Sequence, residues 1–179
     1  MLKPDYNTPC FFTQQLFLIG TKNEDGSDHF APISWISYTF GEPSCLVISM
    51  YGSKQTKRNL ERTGEISATI VTQDMLPFIE ANNGANSEPE KFGFSVVRGN
   101  MLNVPLLKDT KFSYECKLYK KVEIGETSTY FMEIKKVNVS ADVERLEYYD
   151  LQKINPVIYG PDHYYLVGEH LGEIGDFSK

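Results

Sequence analysis

Between Ser49 and Arg58 the chain gathers Ser49, Ser53 and Thr56 as hydroxyl donors and Lys54, Lys57 and Arg58 as cations. A short helix is predicted to begin here, capped by Ser53 or Thr56 and running to about Arg62. The first backbone N–H groups of a helix have no partner inside it, and the helix dipole adds partial positive charge at that end. The phosphate of a small ligand fits such a place. The same residues also suit a capped surface helix with solvated lysines. Taken alone, the segment slightly favours that plainer reading.

Other chemistry finds little support. There is no GxGxxG, GxxxxGK[ST], GxSxG or HExxH pattern. The histidines, His29, His163 and His170, have no metal-ligand spacing, and Cys10, Cys45 and Cys116 form no CxxC, so no metal site is expected. Ser34 and His29 could be set up as nucleophile and base, but no third group is placed to orient them. Trp35, the single tryptophan, reads by itself as a core or interface aromatic.

The elements that must position these residues are mostly strands. Phe11 to Thr21 reads as the first, Asp25-Gly26 as a hairpin turn, and His29 to Thr39 as the next strand with Pro32 at a bend or bulge. Cys45 to Met50 is an apolar run suited to a strand buried on both faces. Gly64 fits the left-handed position after the helix. Ile66, Ala68 and Ile70 then alternate with Ser67, Thr69 and Val71, giving a strand to about Thr72. A second helix is expected from Asp74, as cap, to Asn83, with Pro77 in its first turn. Asn82 to Glu90 reads as an exposed loop, and Val96 to Leu107 gives no clear pattern. Phe112 to Glu123 and Ser128 to Val139 form two long strands around Gly125. Several strands and two short helices favour a β-barrel with helical additions in a single domain.

The composition agrees. The 179 residues are 41% hydrophobic and 13% aromatic, a globular, strand-rich balance. A net charge of -6 argues against non-specific binding of nucleic acid or anionic membranes. No signal peptide and no apolar run of membrane-spanning length is seen, so a cytoplasmic protein is expected.

Taken in order, DGSDHFAPISW, CLVISM, KQTKRNLERTGEISATIV, PFIEANNG, EKFG, YECK and NPVIYGPDHYYLVGE resemble the flavin reductase-like family of FMN-binding split barrels, which includes flavoredoxin-type proteins. The resemblance runs from about Pro9 to Gly172. Its most specific piece is Thr56-x-x-Asn59 followed by Thr63-Gly64-Glu65. It implies a mainly β fold, a six-stranded antiparallel split β-barrel with a few short helices, forming a homodimer with FMN near the interface. FAD is the alternative flavin.

On this resemblance the bend Ala31, Pro32, Ile33, Ser34 and Trp35 lies along the isoalloxazine. Ser49, Met50 and Tyr51 pass beneath the cofactor, and Lys54, Gln55, Thr56 and Asn59 hold its phosphate. Lys91 and Phe92 reach the flavin region. His29 stands where many relatives carry Asn, a departure that changes the hydrogen bonding there. The implied activity is NAD(P)H:flavin oxidoreduction, with no side chain assigned a catalytic role because the cofactor carries the chemistry. The alternatives are electron transfer from a protein redox partner, and flavin holding without turnover.

Overall fold

Strand pairing builds one large sheet in a computed structural model that describes residues 13–82, 87–143, 150–160 and 162–178. In chain order the strands are β1 (Gln14–Gln15), β2 (Phe17–Lys22), β3 (Asp28–Ile33), β4 (Ile36–Thr39), β5 (Cys45–Tyr51), β6 (Glu65–Ile70), β7 (Val96–Arg98), β8 (Pro105–Leu107), β9 (Phe112–Ile124), β10 (Thr127–Val139), β11 (Val157–Gly160) and β12 (His163–Leu166). The α-helices are α1 (Gln55–Thr63), α2 (Leu76–Ala81) and α3 (Leu151–Ile154).

The main sheet has the order β3-β2-β6-β9-β10-β5-β4, with every pairing antiparallel. Its two edge strands, β3 and β4, are consecutive in the chain and joined only by Ser34 and Trp35. The sheet therefore closes through a covalent link. It is a six-segment barrel in which one segment is split, as expected from the sequence.

The split lies at Ser34–Trp35 rather than at Pro32. Ile36 N–H donates to Ser34 O at 2.9 Å, forming a three-residue turn centred on Trp35. Ser49 N–H donates to Trp35 O at 2.9 Å, and from there β4 pairs with β5. Pro32 sits in register opposite Leu18. It is tolerated because β3 is paired in the main sheet on one side only, so the missing donor falls on the free edge.

Both faces of β2 are covered. Phe17 and Ile19 enter the barrel interior with Leu46, Ile48, Ile66 and Met132, while Leu16 and Leu18 pack outside with Phe30, Met75 and Phe78. The alternation expected of β6 holds: Ile66, Ala68 and Ile70 face the interior, and Ser67 and Thr69 are buried on the other face. Cys45 and Cys116 are buried free thiols, both with pKa values raised chiefly by burial. Cys10 lies outside the described residues, as do the start of the expected first strand and Asn83.

The second helix begins later than expected. Asp74 lies in a 3-10 turn, Gln73–Met75, and accepts from Thr72 Oγ1 at 2.5 Å instead of capping α2, whose cap position is Met75. Pro77 falls in the first turn as expected. The unpatterned 96–107 segment is a small antiparallel hairpin, β7–β8. It is tied to the barrel by Glu115, fully buried on β9, which accepts backbone N–H groups of Asn100, Met101 and Leu102 at 3.0, 2.8 and 2.8 Å. The tail strands β11 and β12 form a separate sheet with the N-terminal β1, in the order β1-β11-β12. Among the described residues no helix is long and apolar enough to cross a membrane.

Candidate functional site

The split in the barrel opens a cavity of about 520 Å³ between β3, the end of β5 and the start of α1. Ten of the residues expected at a ligand site line it: His29, Ala31, Pro32, Ser34, Trp35, Ser49, Met50, Tyr51, Lys54 and Gln55; Thr56 makes an eleventh. The lining includes one lysine and no carboxylate. This charge balance suits an anion in an otherwise acidic protein.

α1 places the polar end. Its cap position is Lys54, in extended conformation, and no side chain caps the helix start. This corrects the expected cap. Ser53 Oγ instead accepts from Arg58 Nη1 at 2.9 Å, and Thr56 Oγ1 lies 3.0 Å from His29 Nε2. Ser53 precedes the cap position and Thr56 lies inside the helix, so neither caps it, and the first turn is left open to a ligand. The other end forms as expected: Gly64 has φ 70° and its N–H donates to Leu60 O at 2.7 Å.

His29 and Thr56 are both buried. Burial, and then the nearby Arg58 guanidinium, hold the His29 pKa below its ordinary value. The imidazole is thus kept neutral, able to exchange one hydrogen bond with Thr56 in either direction. Farther along the wall, Ser49 Oγ and Thr129 Oγ1 lie 2.9 Å apart. The Tyr51 hydroxyl donates to Glu126, which raises its pKa.

Three expected residues do not line the cavity. Asn59 is buried behind it, where Nδ2 donates to Thr21 Oγ1 at 3.0 Å and Asn23 Oδ1 at 2.8 Å, and Oδ1 accepts from Gln55 Nε2 at 2.8 Å. It fixes Gln55 and the hairpin against α1. Lys91 and Phe92 lie on a 3-10 turn, Pro89–Phe92, where Lys91 pairs with Glu88 at 2.5 Å and Phe92 packs on Phe78. Ile33, part of the expected bend, lines the cavity with its neighbours. Asn82 also lines it without having been singled out, because it follows α2 and reaches β3 only through tertiary packing.

A second cleft of about 400 Å³ shares Trp35, Ser49 and Tyr51 with the first and adds Gln14, Ile36, Ser37, Val47 and Thr127. Trp35, which lines both, is 48% exposed. Among the described residues no cluster of side chains could hold a metal ion.

A barrel split at one segment, with an uncapped helix start and an aromatic at the break, defines a ligand-binding split-barrel protein. The chain belongs to the flavin reductase-like family: residues 10–165 match the flavin reductase like domain. It is 29% identical over 130 residues to an uncharacterized protein of Aquifex aeolicus (strain VF5), covering 68% of this chain and 66% of that one. Its fold is similar to that of flavoredoxin from Desulfovibrio vulgaris (Miyazaki F), with a TM-score of 0.87, 22% identity, and 99% and 100% of the two chains covered. It is also similar to nitrilotriacetate monooxygenase component B from Bacillus cereus, with a TM-score of 0.85, 16% identity, and 97% and 98% covered.

Proposed function

We propose that this protein is an FMN-dependent oxidoreductase that takes hydride from NAD(P)H, a flavin reductase. The observation that carries the reading is a single cavity holding an uncapped helix start beside Lys54 at one end and Trp35 at the other. Its volume lies within the range of small-molecule sites. When bound, flavin would supply the hydride and electron-transfer chemistry, which no side chain here provides.

In this reading the first turn of α1, with Lys54, Gln55 and Thr56, holds the phosphate by backbone and charge-assisted hydrogen bonds. The buried His29 fixes the Thr56 hydroxyl from behind. Ala31, Pro32 and Ser34 bring backbone to the polar edge of the ring system. Ser49, Met50 and Tyr51 form the floor. Trp35 limits water at the ring and shapes the space left for nicotinamide, which would stack on the flavin without a dinucleotide domain of its own. FMN is the proposed cofactor, and FAD is the alternative that the same phosphate end would accept.

The working form is proposed to be a homodimer. β12 is a sheet-edge strand, exposed throughout, and carries Tyr164, Tyr165 and Leu166. Trp35 and Tyr38 add further exposed aromatic surface. Unpaired edges and apolar surface of this kind are ordinarily covered.

A second reading, electron transfer from a protein redox partner, draws on the full-length likeness to a flavoredoxin fold. Anaerobic stopped-flow mixing of the FMN-loaded protein with NADH and with NADPH separates the two. Rapid bleaching of the flavin absorbance supports the reductase, and negligible reduction by either nucleotide favours the carrier.

A further inference from the structure

Lys54, Lys57, Arg58 and Glu61 recur at three- and four-residue spacing and share one face of α1 and its cap position. With Glu126 they line a cleft of about 420 Å³ beside the cavity at the split, and Lys54 lines both. The two carboxylates are already engaged. Glu61 accepts from Lys121 Nζ and from the Tyr130 hydroxyl, each at 2.7 Å, and Glu126 accepts from the Tyr51 hydroxyl. The cations are not. Arg58 donates to neutral oxygens, Ser53 Oγ at 2.9 Å and Gln55 Oε1 at 2.5 Å. Among the described residues none of Lys54, Lys57 and Arg58 forms an ion pair. Lys57 is the weakest of the influences that act on the Glu61 pKa. The chain has 24 Asp and Glu against 18 Lys and Arg, so carboxylate partners are plentiful, yet these three neighbouring cations have none. They repel one another, and an anion in the cleft removes that repulsion.

The position of Lys54 limits which anion this is. Lys54 stands at the end of the cavity proposed to hold the flavin phosphate, and Lys57 follows it one turn along α1. A group in the cleft is therefore reached directly from that phosphate, and the cleft is large enough for a nucleoside. We propose that the cleft takes the adenylate end of FAD, with Lys54 between the two phosphates and Lys57 and Arg58 facing the second. The ADP portion of NAD(P)H has the same chemistry, but nicotinamide is proposed to stack at the opposite end of the cavity, near Trp35. This rests on the flavin reading of the cavity. It makes Lys57 a residue that distinguishes FAD from FMN, which ends at the first phosphate.

The test is calorimetric titration of wild type, Lys57→Ala and Lys120→Ala with FMN and with FAD, and of the FMN-loaded proteins with NADP+. Wild type should bind FAD at least as tightly as FMN. Lys57→Ala, a change that a helix interior tolerates well, should weaken FAD about tenfold and FMN less than twofold. Lys120, exposed on β9 and outside the cleft, controls for the loss of one positive charge. Its Ala variant should keep the ratio of FAD to FMN affinity within about twofold of wild type. Weaker binding of FAD than of FMN by wild type would overturn the proposal. So would equal losses of both flavins in Lys57→Ala, which would place Lys57 on the first phosphate, or no loss of FAD. The same selective loss in Lys120→Ala would reduce the effect to net charge and overturn it too. A loss confined to NADP+ would assign the cleft to the hydride donor instead of FAD. If wild type binds neither flavin, the flavin reading itself fails and this proposal goes with it; tight FMN binding with any of the other adverse results refutes this proposal alone.

Discussion

His29 Nε2 lies 3.0 Å from Thr56 Oγ1, and the two buried side chains tie the edge strand β3 to the first turn of α1. The contact lies at the end of the cavity proposed to hold phosphate. Thr56 lies in the second position of α1, inside the helix, so its hydroxyl is free to serve this contact instead of a cap.

Removing that hydroxyl should act twice. In Thr56→Ala the His29 nitrogen loses its buried partner, which costs roughly 1–3 kcal/mol of stability. The same change should weaken FMN by roughly 1.5–3 kcal/mol while affecting riboflavin much less, because a charge-assisted bond to phosphate is lost. Denaturant melts and titrations with both flavins measure the two effects separately. Equal losses for FMN and riboflavin would show that Thr56 does not contact phosphate.

The same pair sets a pH dependence. The folded pKa of His29 is below its ordinary value of 6.5, so the unfolded chain binds the proton more readily. The stability that the neutral imidazole contributes is fully present above that value and is lost as pH falls through the folded pKa. In His29→Asn, melting temperature should therefore vary less over the mildly acidic range than in wild type. Parallel acid limbs for the two proteins would locate the pH dependence elsewhere.

Glu115 works in the opposite setting, far from the cavity. Burial alone would raise its pKa, but the backbone N–H groups of Leu102 and Met101, the Asn138 amide and the Asn100 N–H together hold it below 4.5. Its contribution is present above that ordinary value and disappears as pH falls through the lower folded one. Glu115→Ala strands three backbone donors and should cost roughly 3 kcal/mol or more. Loss of protection in hydrogen exchange should concentrate at residues 99–104. A melt within about 0.5 kcal/mol of wild type would mean that the hairpin holds without it.

These interactions mark what could be read from the sequence. α1 was legible to within a residue or two, and β9 and β10 likewise, because periodicity and turn glycines such as Gly64 and Gly125 act locally. The anion site was legible as a composition of residues. The position of the split was not: Pro32 looked like the break, but whether a proline disrupts a ladder depends on whether its strand is an edge. The β7–β8 hairpin was equally hidden, since its anchor is a carboxylate on β9. Asn82 was missed for the same reason, because it depends on a partner distant in sequence, Phe30. The cap of α1 was missed because the helix starts at Gln55, which leaves the cap position to Lys54.

The exposed tail strand gives a prediction about assembly. Sedimentation should show a dimer at micromolar concentration. Tyr165→Glu, which places a charge on the edge strand β12, should shift the population toward monomer. A wild-type monomer under these conditions would remove the dimer and with it an interface-bound flavin.

Trp35 decides how the cavity is used. Its backbone is committed to the split, through Ser49 N–H to Trp35 O and the Ser34–Ile36 turn around it. Trp35 lines both clefts, as do Ser49 and Tyr51. The end proposed to hold phosphate consists of the start of α1 and His29. Trp35→Ala should therefore leave FMN affinity within about threefold, since only apolar contact at the ring is reduced, and merge the two clefts into a wetter one. A reductase needs nicotinamide stacked close and dry against the ring, and a misplacement of about 1 Å can cost a hundredfold in rate. The expected outcome is a fall of at least tenfold in the rate of anaerobic flavin reduction by NAD(P)H, with FMN still bound. In a carrier that never meets nicotinamide, wild type and variant would both be reduced negligibly, and only flavin affinity or potential would move. Unchanged, rapid reduction of the variant would show that the indole does not shape the hydride-donor site.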